Sequence, residues 1–134
     1  MNIKNFAIAC LIFLILDGIW LTFNNKYYKD LTYKIQKEPL IFKPILIPIV
    51  YICLFTSLYF CIRYIELELK FNGKNKDYVK IITISVIYAI AIYGIYSYTT
   101  CIFFNNYNFT NAIIDNLWGI PLYTIPTIIY FILD

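Results

Sequence analysis

The 134-residue sequence has no histidine and only one arginine, and just 14% of its residues are charged. Without histidine, the side chain that most often binds zinc or haem iron is missing. The four cysteines, at positions 10, 53, 61 and 101, lie separately inside apolar stretches and form no C-x-x-C pair. The available ligands therefore exclude a zinc site, a haem site and a disulfide framework, and we expect no cofactor.

Charge is also too scarce for a soluble domain. Hydrophobic residues make up 61% of the chain and its mean hydropathy is +0.68, whereas soluble domains are about 45–50% apolar and about 25% charged. The net charge of +3 is modest, and the basic residues flank apolar stretches, where they act as membrane anchors. We therefore expect an integral membrane protein whose partner is the lipid bilayer and which binds no nucleic acid.

Four apolar stretches contain nearly all of the hydrophobic residues: 6–23, 44–62, 81–104 and 112–133. At about 1.5 Å per residue, each is long enough to cross a hydrocarbon core of about 30 Å as an α-helix, which satisfies its own backbone hydrogen bonds. The first stretch contains Asp17 and no A-x-A-like site follows it, so we expect a retained helix and not a signal peptide. The sequence predicts an all-α four-helix bundle forming a single transmembrane domain over residues 1–134.

The connecting segments do not predict a second domain. Residues 24–43 alternate lysines with aromatic and aliphatic residues, which fits either an interfacial amphipathic helix that ends before Pro39 or a solvated anchor loop. Residues 63–80 form the second loop, whose part from Glu66 to Lys80 is predicted to be an exposed polar turn. With the N-terminus inside, six Lys and Arg lie on the cytoplasmic side and five on the other. We therefore expect both termini to be cytoplasmic.

Two acids lie inside the apolar stretches at the same depth. Asp17 lies six residues before the end of the first stretch, and Asp115 lies six residues after Phe109, near the start of the fourth. At about 1.5 Å per residue, both carboxylates lie about 9 Å below the same membrane surface. An acid at the centre of a membrane helix costs about 2.5–3.5 kcal/mol, and somewhat less at this depth. Each carboxylate therefore needs a partner.

Aromatic and hydroxyl side chains accompany both acids. Each acid is followed three positions later by a tryptophan, which places acid and indole on one helix face. The third stretch presents tyrosine, serine and threonine along one face at the same level. The sequence therefore predicts a polar cavity that opens to one side of the membrane. Its candidate residues are Asp17, Trp20, Tyr93, Tyr96, Ser97, Thr100, Asp115 and Trp118.

The predicted cavity suggests a function. Two neighbouring carboxylates that are both ionised repel each other, so they share a proton or hold a cation, and aromatic faces can bind an ammonium group. We predict that the protein handles a proton, a cation or a small solute. In the alternative interpretation, both acids are structural hydrogen-bond acceptors in a non-catalytic scaffold or assembly component, for example of a viral or host membrane. A homo-oligomer is compatible with both interpretations.

Enzymatic activity has little support in the sequence. Ser97 and Cys101 have no histidine to act as a base, and neither buried acid lies in a G-x-G-D-like context. We therefore expect no catalytic residues. The candidates of the polar cavity are predicted to bind or to pack, and not to form covalent intermediates.

Two short segments carry a family pattern. Residues 16–21 read L-D-G-I-W-L, and residues 114–119 read I-D-N-L-W-G. They resemble the L-D-x-x-W-L and V-D-x-x-W-G segments of the domain of unknown function 2177, a family of small four-helix membrane proteins from bacteria and some large viruses. Tyr27 and Tyr28 correspond to its F-Y pair, and its Y-x-x-Y-D-x-T-N segment corresponds to the region of Tyr93. The resemblance implies the fold and no specific activity. Ser97 replaces the family's acid and Thr100 its Asn, so a site of three carboxylates would be reduced to two.

Overall fold

The computed structural model describes residues 1–41, 43–73 and 76–134. Its helices are α1 (Ile3–Phe23), α2 (Asn25–Gln36), α3 (Ile47–Phe71), α4 (Tyr78–Phe103) and α5 (Phe109–Leu133), with one turn of 3-10 helix (Pro44–Leu46) before α3. α1, α4, α5 and the segment Pro44–Phe71 are each long and apolar enough to cross a membrane. The predicted all-α fold with four long apolar helices is confirmed.

The first predicted loop is largely helical. Residues 25–36 form α2, so of the two predicted alternatives, a helix or a loop, the structure contains the helix. Leu31 is the buried residue of α2. The helix ends where Lys37 adopts a left-handed conformation with φ of 60°, two residues before Pro39. A proline disfavours the helical conformation of the residue before it, which explains why the helix does not extend further.

The second predicted loop is shorter in the structure than in the sequence-based prediction. Residues 63–71 continue α3 because Ile65 and Leu69 extend its buried face at helical spacing. Beyond this face, Lys80 Nζ lies 2.6 Å from Glu68 Oε2 and joins the end of α3 to the start of α4. The predicted turn is therefore reduced to the residues between Phe71 and Tyr78, of which 74 and 75 lie outside the described residues.

Hydrogen bonds at one end of the bundle show the antiparallel arrangement of the spanning helices. The Tyr130 hydroxyl donates to Glu66 Oε1 at 2.5 Å and accepts from the Asn2 backbone N–H at 2.9 Å. These bonds bring the start of α1, the end of α3 and the end of α5 together. We call this the Glu66 end, and we call the opposite one, where α1 ends and α5 begins, the Asp115 end. As predicted, Asp17 and Asp115 both lie toward the latter.

α5 is the most enclosed of the four spanning helices. In its most apolar 18-residue stretch, 44% of the residues are buried, whereas the corresponding fraction in α1 is 11%. The core forms where the Phe13 ring contacts the Tyr123 ring edge-on, with centroids 5.5 Å apart. The Ser57 and Tyr123 hydroxyls also contact each other between α3 and α5. Leu58, Leu122 and other fully buried side chains complete this core. α5 therefore packs extensively against α4 and α1, whereas α3 packs against α4 more than against α5.

α3 separates from the bundle toward the Asp115 end. Its buried residues, Leu58, Cys61, Ile62, Ile65 and Leu69, all lie from the middle of the helix onward. In its first half, Ile49, Val50 and Ile52 are 57%, 53% and 64% exposed. Tyr51, Leu54 and Phe55 still contact the core there, and the ring centroid of Phe55 lies 5.9 Å from that of Phe13. This separation leaves a groove between α3 and the neighbouring helices.

Candidate functional site

Asp115 is enclosed by two tyrosine hydroxyl groups. Its side chain is only 7% exposed, and its Oδ1 accepts from the Tyr28 hydroxyl at 2.8 Å. Its Oδ2 accepts from the Tyr107 hydroxyl. Trp20 Nε1 donates in turn to the Tyr28 oxygen at 2.9 Å. We call Tyr28, Tyr107 and Asp115 the Asp115 cage, in which both carboxylate oxygens already have a donor.

The cage fastens α2 across the start of α5. Next to Tyr28, the Tyr27 hydroxyl donates to Asn111 Oδ1 at 2.8 Å. At the far end of α2, Asn106 Nδ2 donates to the Lys34 carbonyl at 2.7 Å. Leu31 packs beneath the helix, in a small apolar cluster with Tyr107 and Ala112. α2 is therefore a packed part of the fold, held by side chains from α5 and from the turn that precedes it.

The cage keeps its phenols protonated. Burial, and then the hydrogen bond to Asp115 and the negative charge of that residue, raise the pKa of Tyr107 far above the ordinary phenol value. Burial is also the main reason that the pKa of Tyr28 is raised, although its hydrogen bond from Trp20 acts in the opposite direction. A raised pKa in the folded state contributes stability fully below the unfolded-state pKa, about 10 for a phenol. That contribution disappears as the pH rises through the folded-state value.

An alkaline titration tests this protonation. At about one pH unit above the ordinary phenol pKa of about 10, we expect folded wild type and folded Tyr107→Phe to give the same tyrosinate absorbance. After unfolding, the variant should have one tyrosinate fewer. If the absorbance of the folded variant is already lower by one tyrosinate at that pH, Tyr107 ionises normally and the proposed shift is absent.

The two tryptophans of the repeated spacing meet at the same end of the bundle. The Trp20 and Trp118 rings are stacked, with centroids 4.5 Å apart and an interplanar angle of 5°. The stack joins α1 to α5, and stacked aromatic pairs contribute about 0.5–1.5 kcal/mol beyond the area they bury. The repeated pattern therefore produces a contact between antiparallel helices. The Trp20 indole additionally orients Tyr28, as described for the cage.

Asp17 has a more open environment. Its Oδ2 accepts from the Tyr51 hydroxyl at 2.7 Å, while its Oδ1 has no donor within the described part of the chain. The side chain is half-buried and lines a groove of about 420 Å³ between α3 and the bundle. We call this the Asp17 groove. Its lining residues are Asp17, Ile49, Val50, Cys53, Leu54, Ile92, Tyr93 and Tyr96.

The hydroxyl residues of α4 are used within the helices. Ser97 is fully buried, donates to the Tyr93 carbonyl at 2.6 Å and accepts from Asn116 Nδ2 of α5 at 3.0 Å. Thr100 Oγ1 donates to the Tyr96 carbonyl at 2.7 Å, inside its own helix. Both side chains therefore satisfy helix and helix–helix hydrogen bonds, and neither lines the Asp17 groove.

The eight predicted residues thus fall into three groups. Asp17, Tyr93 and Tyr96 line the groove; Trp20, Asp115 and Trp118 belong to the cage and its adjoining stack; Ser97 and Thr100 have partners on α4 and α5. The two carboxylates accept from different tyrosines, and Asp115 does not line the Asp17 groove. In the ranges 1–41, 43–73 and 76–134, no three Cys, Asp or Glu side chains come together as a metal site would require.

Sequence analysis did not assign Tyr51, Tyr107 or Asn116 to the site. Tyr51 lies seven residues into its apolar stretch, so the depth argument that paired the two acids could have selected it. Asn116 lies next to Asp115, but it is not one of the two residues that the acid–tryptophan spacing selects. Tyr107 lies in the turn between α4 and α5, where no helical periodicity applies. The Tyr107 hydroxyl reaches the Asp115 carboxylate through a tertiary contact, which the sequence pattern does not show.

One family model matches the chain over residues 2–132, and its description is "Predicted membrane protein (DUF2177)". No curated protein and no solved structure matches the chain. The matched region runs from the residue before α1 almost to the end of α5, so it includes the cage, the tryptophan stack and the Asp17 groove. The resemblance carried by the two D-x-x-W segments is confirmed, and the chain belongs to the DUF2177 family of predicted membrane proteins.

Proposed function

We propose that the protein handles a proton, a cation or a small basic solute, and that the Asp17 groove is the place where it does so. The observation that supports this most strongly is the incomplete hydrogen bonding of Asp17. One of its oxygens lacks a donor, and the carboxylate has no ion-pair partner among the described residues. A carboxylate in an apolar layer is unfavourable unless hydrogen-bond donors, a proton or a cation compensate it, and Asp17 has a donor on one oxygen alone among the described residues.

Comparison of the two acids separates their proposed roles. Asp115 is buried and accepts a tyrosine hydrogen bond on each oxygen, so it has little capacity left for a ligand. We assign it to the attachment of α2. Asp17 has a free acceptor oxygen and borders an open groove with Tyr93 and Tyr96 beside it. Tyrosine rings can also bind a cation through their faces.

The proposed orientation places both termini in the cytoplasm. It rests on the count of six Lys and Arg on that side against five on the other. α2 and the Asp115 end would then face the opposite side of the membrane. The solute would approach Asp17 from there.

Removal of the Asp17 charge tests the proposed function. Asp17→Asn keeps the shape of the side chain, and we expect it to weaken binding of ethylammonium at least about tenfold, because hydrogen bonds to charged groups contribute about 1.5–3 kcal/mol. Calorimetry in detergent measures the affinity, and a pH-sensitive dye in proteoliposomes measures proton flux. Asp30→Asn, which removes an exposed acid of α2, is the matched control and should behave as wild type.

The result that contradicts the proposal is equal ethylammonium affinity and equal proton flux in wild type, Asp17→Asn and Asp30→Asn. If wild type shows neither binding nor flux, the non-catalytic membrane scaffold becomes the better account of the fold. Circular dichroism of each variant checks that a loss reflects the carboxylate and not unfolding.

A further inference from the structure

The Asp17 groove opens sideways, between membrane-spanning helices. Ile49 and Val50 on its α3 wall are more than half exposed, and Cys53 beside them is exposed as well. These residues belong to the segment Pro44–Phe71, which is apolar enough to span the membrane. The open side of the groove therefore faces the hydrocarbon layer and not an aqueous vestibule.

The chemistry of the groove lining is strongly asymmetric. Asp17 is its charged member, and the tyrosines at positions 93 and 96 also line it. The other lining residues are four aliphatic side chains and one thiol: Ile49, Val50, Leu54, Ile92 and Cys53. One anionic group in a largely apolar groove matches a molecule with a cationic head and a hydrocarbon tail.

We propose that the groove binds a membrane-dissolved amphiphile with an ammonium head group, whose nitrogen lies at Asp17 Oδ1 and whose tail lies along α3. This inference rests on the proposed function and specifies the class of cation. The groove volume of about 420 Å³ falls within the range of about 300–1,000 Å³ that is usual for small-molecule sites.

Charge complementarity selects this occupant over other lipids. An anionic lipid would place a second negative charge beside Asp17, and a neutral one would leave the carboxylate without a counter-ion. A short hydrophilic cation would neutralise Asp17 but would leave the aliphatic wall uncovered. Only a cation with an apolar chain contacts both parts of the lining: its chain already lies in hydrocarbon and can pack on the aliphatic wall, while its head group pairs with Asp17.

The depth of Asp17 is compatible with such a head group. Six residues separate it from the end of α1 at Phe23, which corresponds to about 9 Å along the helix. Charged groups within membrane segments pair with one another. An ammonium group at this depth would therefore be neutralised by Asp17 while its tail remains in hydrocarbon.

Cys53 provides a reporter inside the groove. The other cysteines are the buried Cys61 and the half-buried Cys10 and Cys101. Cys10→Ala together with Cys101→Ser leaves Cys53 as the exposed thiol, and the serine keeps a donor for the Tyr107 carbonyl that Cys101 contacts at 3.2 Å. The rate at which N-ethylmaleimide alkylates Cys53 in detergent micelles, where water and the reagent reach the thiol, then measures access to the groove.

We expect dodecylammonium to slow this alkylation about tenfold or more at saturation, because its tail would cover the thiol. The protection should disappear in Asp17→Asn and should not be produced by dodecanol or dodecanoate at the same content in the micelles. Equal protection by dodecylammonium and dodecanol, unaffected by Asp17→Asn, would overturn the proposal, since the groove would then bind any alkyl chain.

A second measurement separates this inference from the proposed function. Calorimetry in one detergent compares the affinities of wild type for ethylammonium and dodecylammonium, which share the ammonium group and differ in the tail. Dodecylammonium should bind at least about tenfold more tightly, and Asp17→Asn should weaken the binding of both. If wild type binds ethylammonium as tightly as dodecylammonium, the proposed cation site at Asp17 stands, and the proposal that its ligand is an amphiphile is wrong. If neither binds, both proposals fail.

Discussion

Replacement of Gly119 by alanine is expected to destabilise the protein by about 1–3 kcal/mol, the usual range for overpacking a closely packed interior. An added Cβ would lie 2.5 Å from Cδ2 and 2.6 Å from Cγ of Tyr93. These atoms lie at the root of the ring, so they cannot move away without a shift of the side chain or of α4. Because Tyr93 lines the Asp17 groove, the same change should also narrow or distort that groove.

Gly18 provides the matched control. It lies in α1, and no heavy atom outside its local helix would come within 4 Å of a Cβ there. Gly18→Ala should therefore leave stability unchanged or raise it by about 0.5–1 kcal/mol, since alanine favours helix more than glycine does. Unfolding in detergent, followed by circular dichroism, compares the two variants. Equal stability of Gly119→Ala and Gly18→Ala would show that Tyr93 does not press against Gly119.

Asp115→Ala should destabilise the Asp115 end by about 3–6 kcal/mol and release α2. The substitution leaves the hydroxyls of Tyr28 and Tyr107 without their acceptor, and hydrogen bonds to a charged group contribute about 1.5–3 kcal/mol each. Asp115→Asn retains one acceptor oxygen and should have an intermediate effect. Both effects should be larger than that of Asp17→Ala, because Asp17 accepts a single tyrosine hydrogen bond.

Limited digestion with trypsin measures the release, since α2 contains Lys26, Lys29 and Lys34. We expect Asp115→Ala to be cleaved in α2 much faster than wild type, while Asp30→Ala, which removes an exposed acid of the same helix, should not differ. A variant that unfolds altogether would lose its helical circular dichroism, and this distinguishes global from local loss. If cleavage in α2 is as slow in Asp115→Ala as in wild type, the cage does not hold this helix.

The helix count and the level of the two acids were predictable because length, hydropathy and rise per residue determine them directly. The repeated tryptophan spacing also had a structural meaning, although the sequence could not show that Trp20 would stack on Trp118. The sequence-based prediction ended the second span at Ile62, because the apolar stretch is followed there by polar residues. In the structure α3 continues beyond Ile62, because one face of the helix remains buried.

The partners of the acids were harder to predict for a different reason. Both donors to Asp115 come from outside the apolar stretches: Tyr28 from α2 and Tyr107 from a turn. Such segments are positioned by tertiary contacts, so periodicity does not show which acid they approach. The separation of α3 from the bundle likewise depends on which halves of helices pack together. A shared site for Asp17 and Asp115 therefore stays a prediction, whereas their separate tyrosine partners are observed.

The one-sided attachment of α3 has a mechanical consequence. The helix is fixed from Leu58 onward, and about 14 residues, or about 21 Å, extend from there to Pro44. A rotation of only about 5° about the fixed half would therefore displace the far tip by about 2 Å. The Tyr51–Asp17 hydrogen bond restrains this lever. A molecule that displaces Tyr51 from Asp17 Oδ2 would loosen it, and the width of the protein within one leaflet would then change.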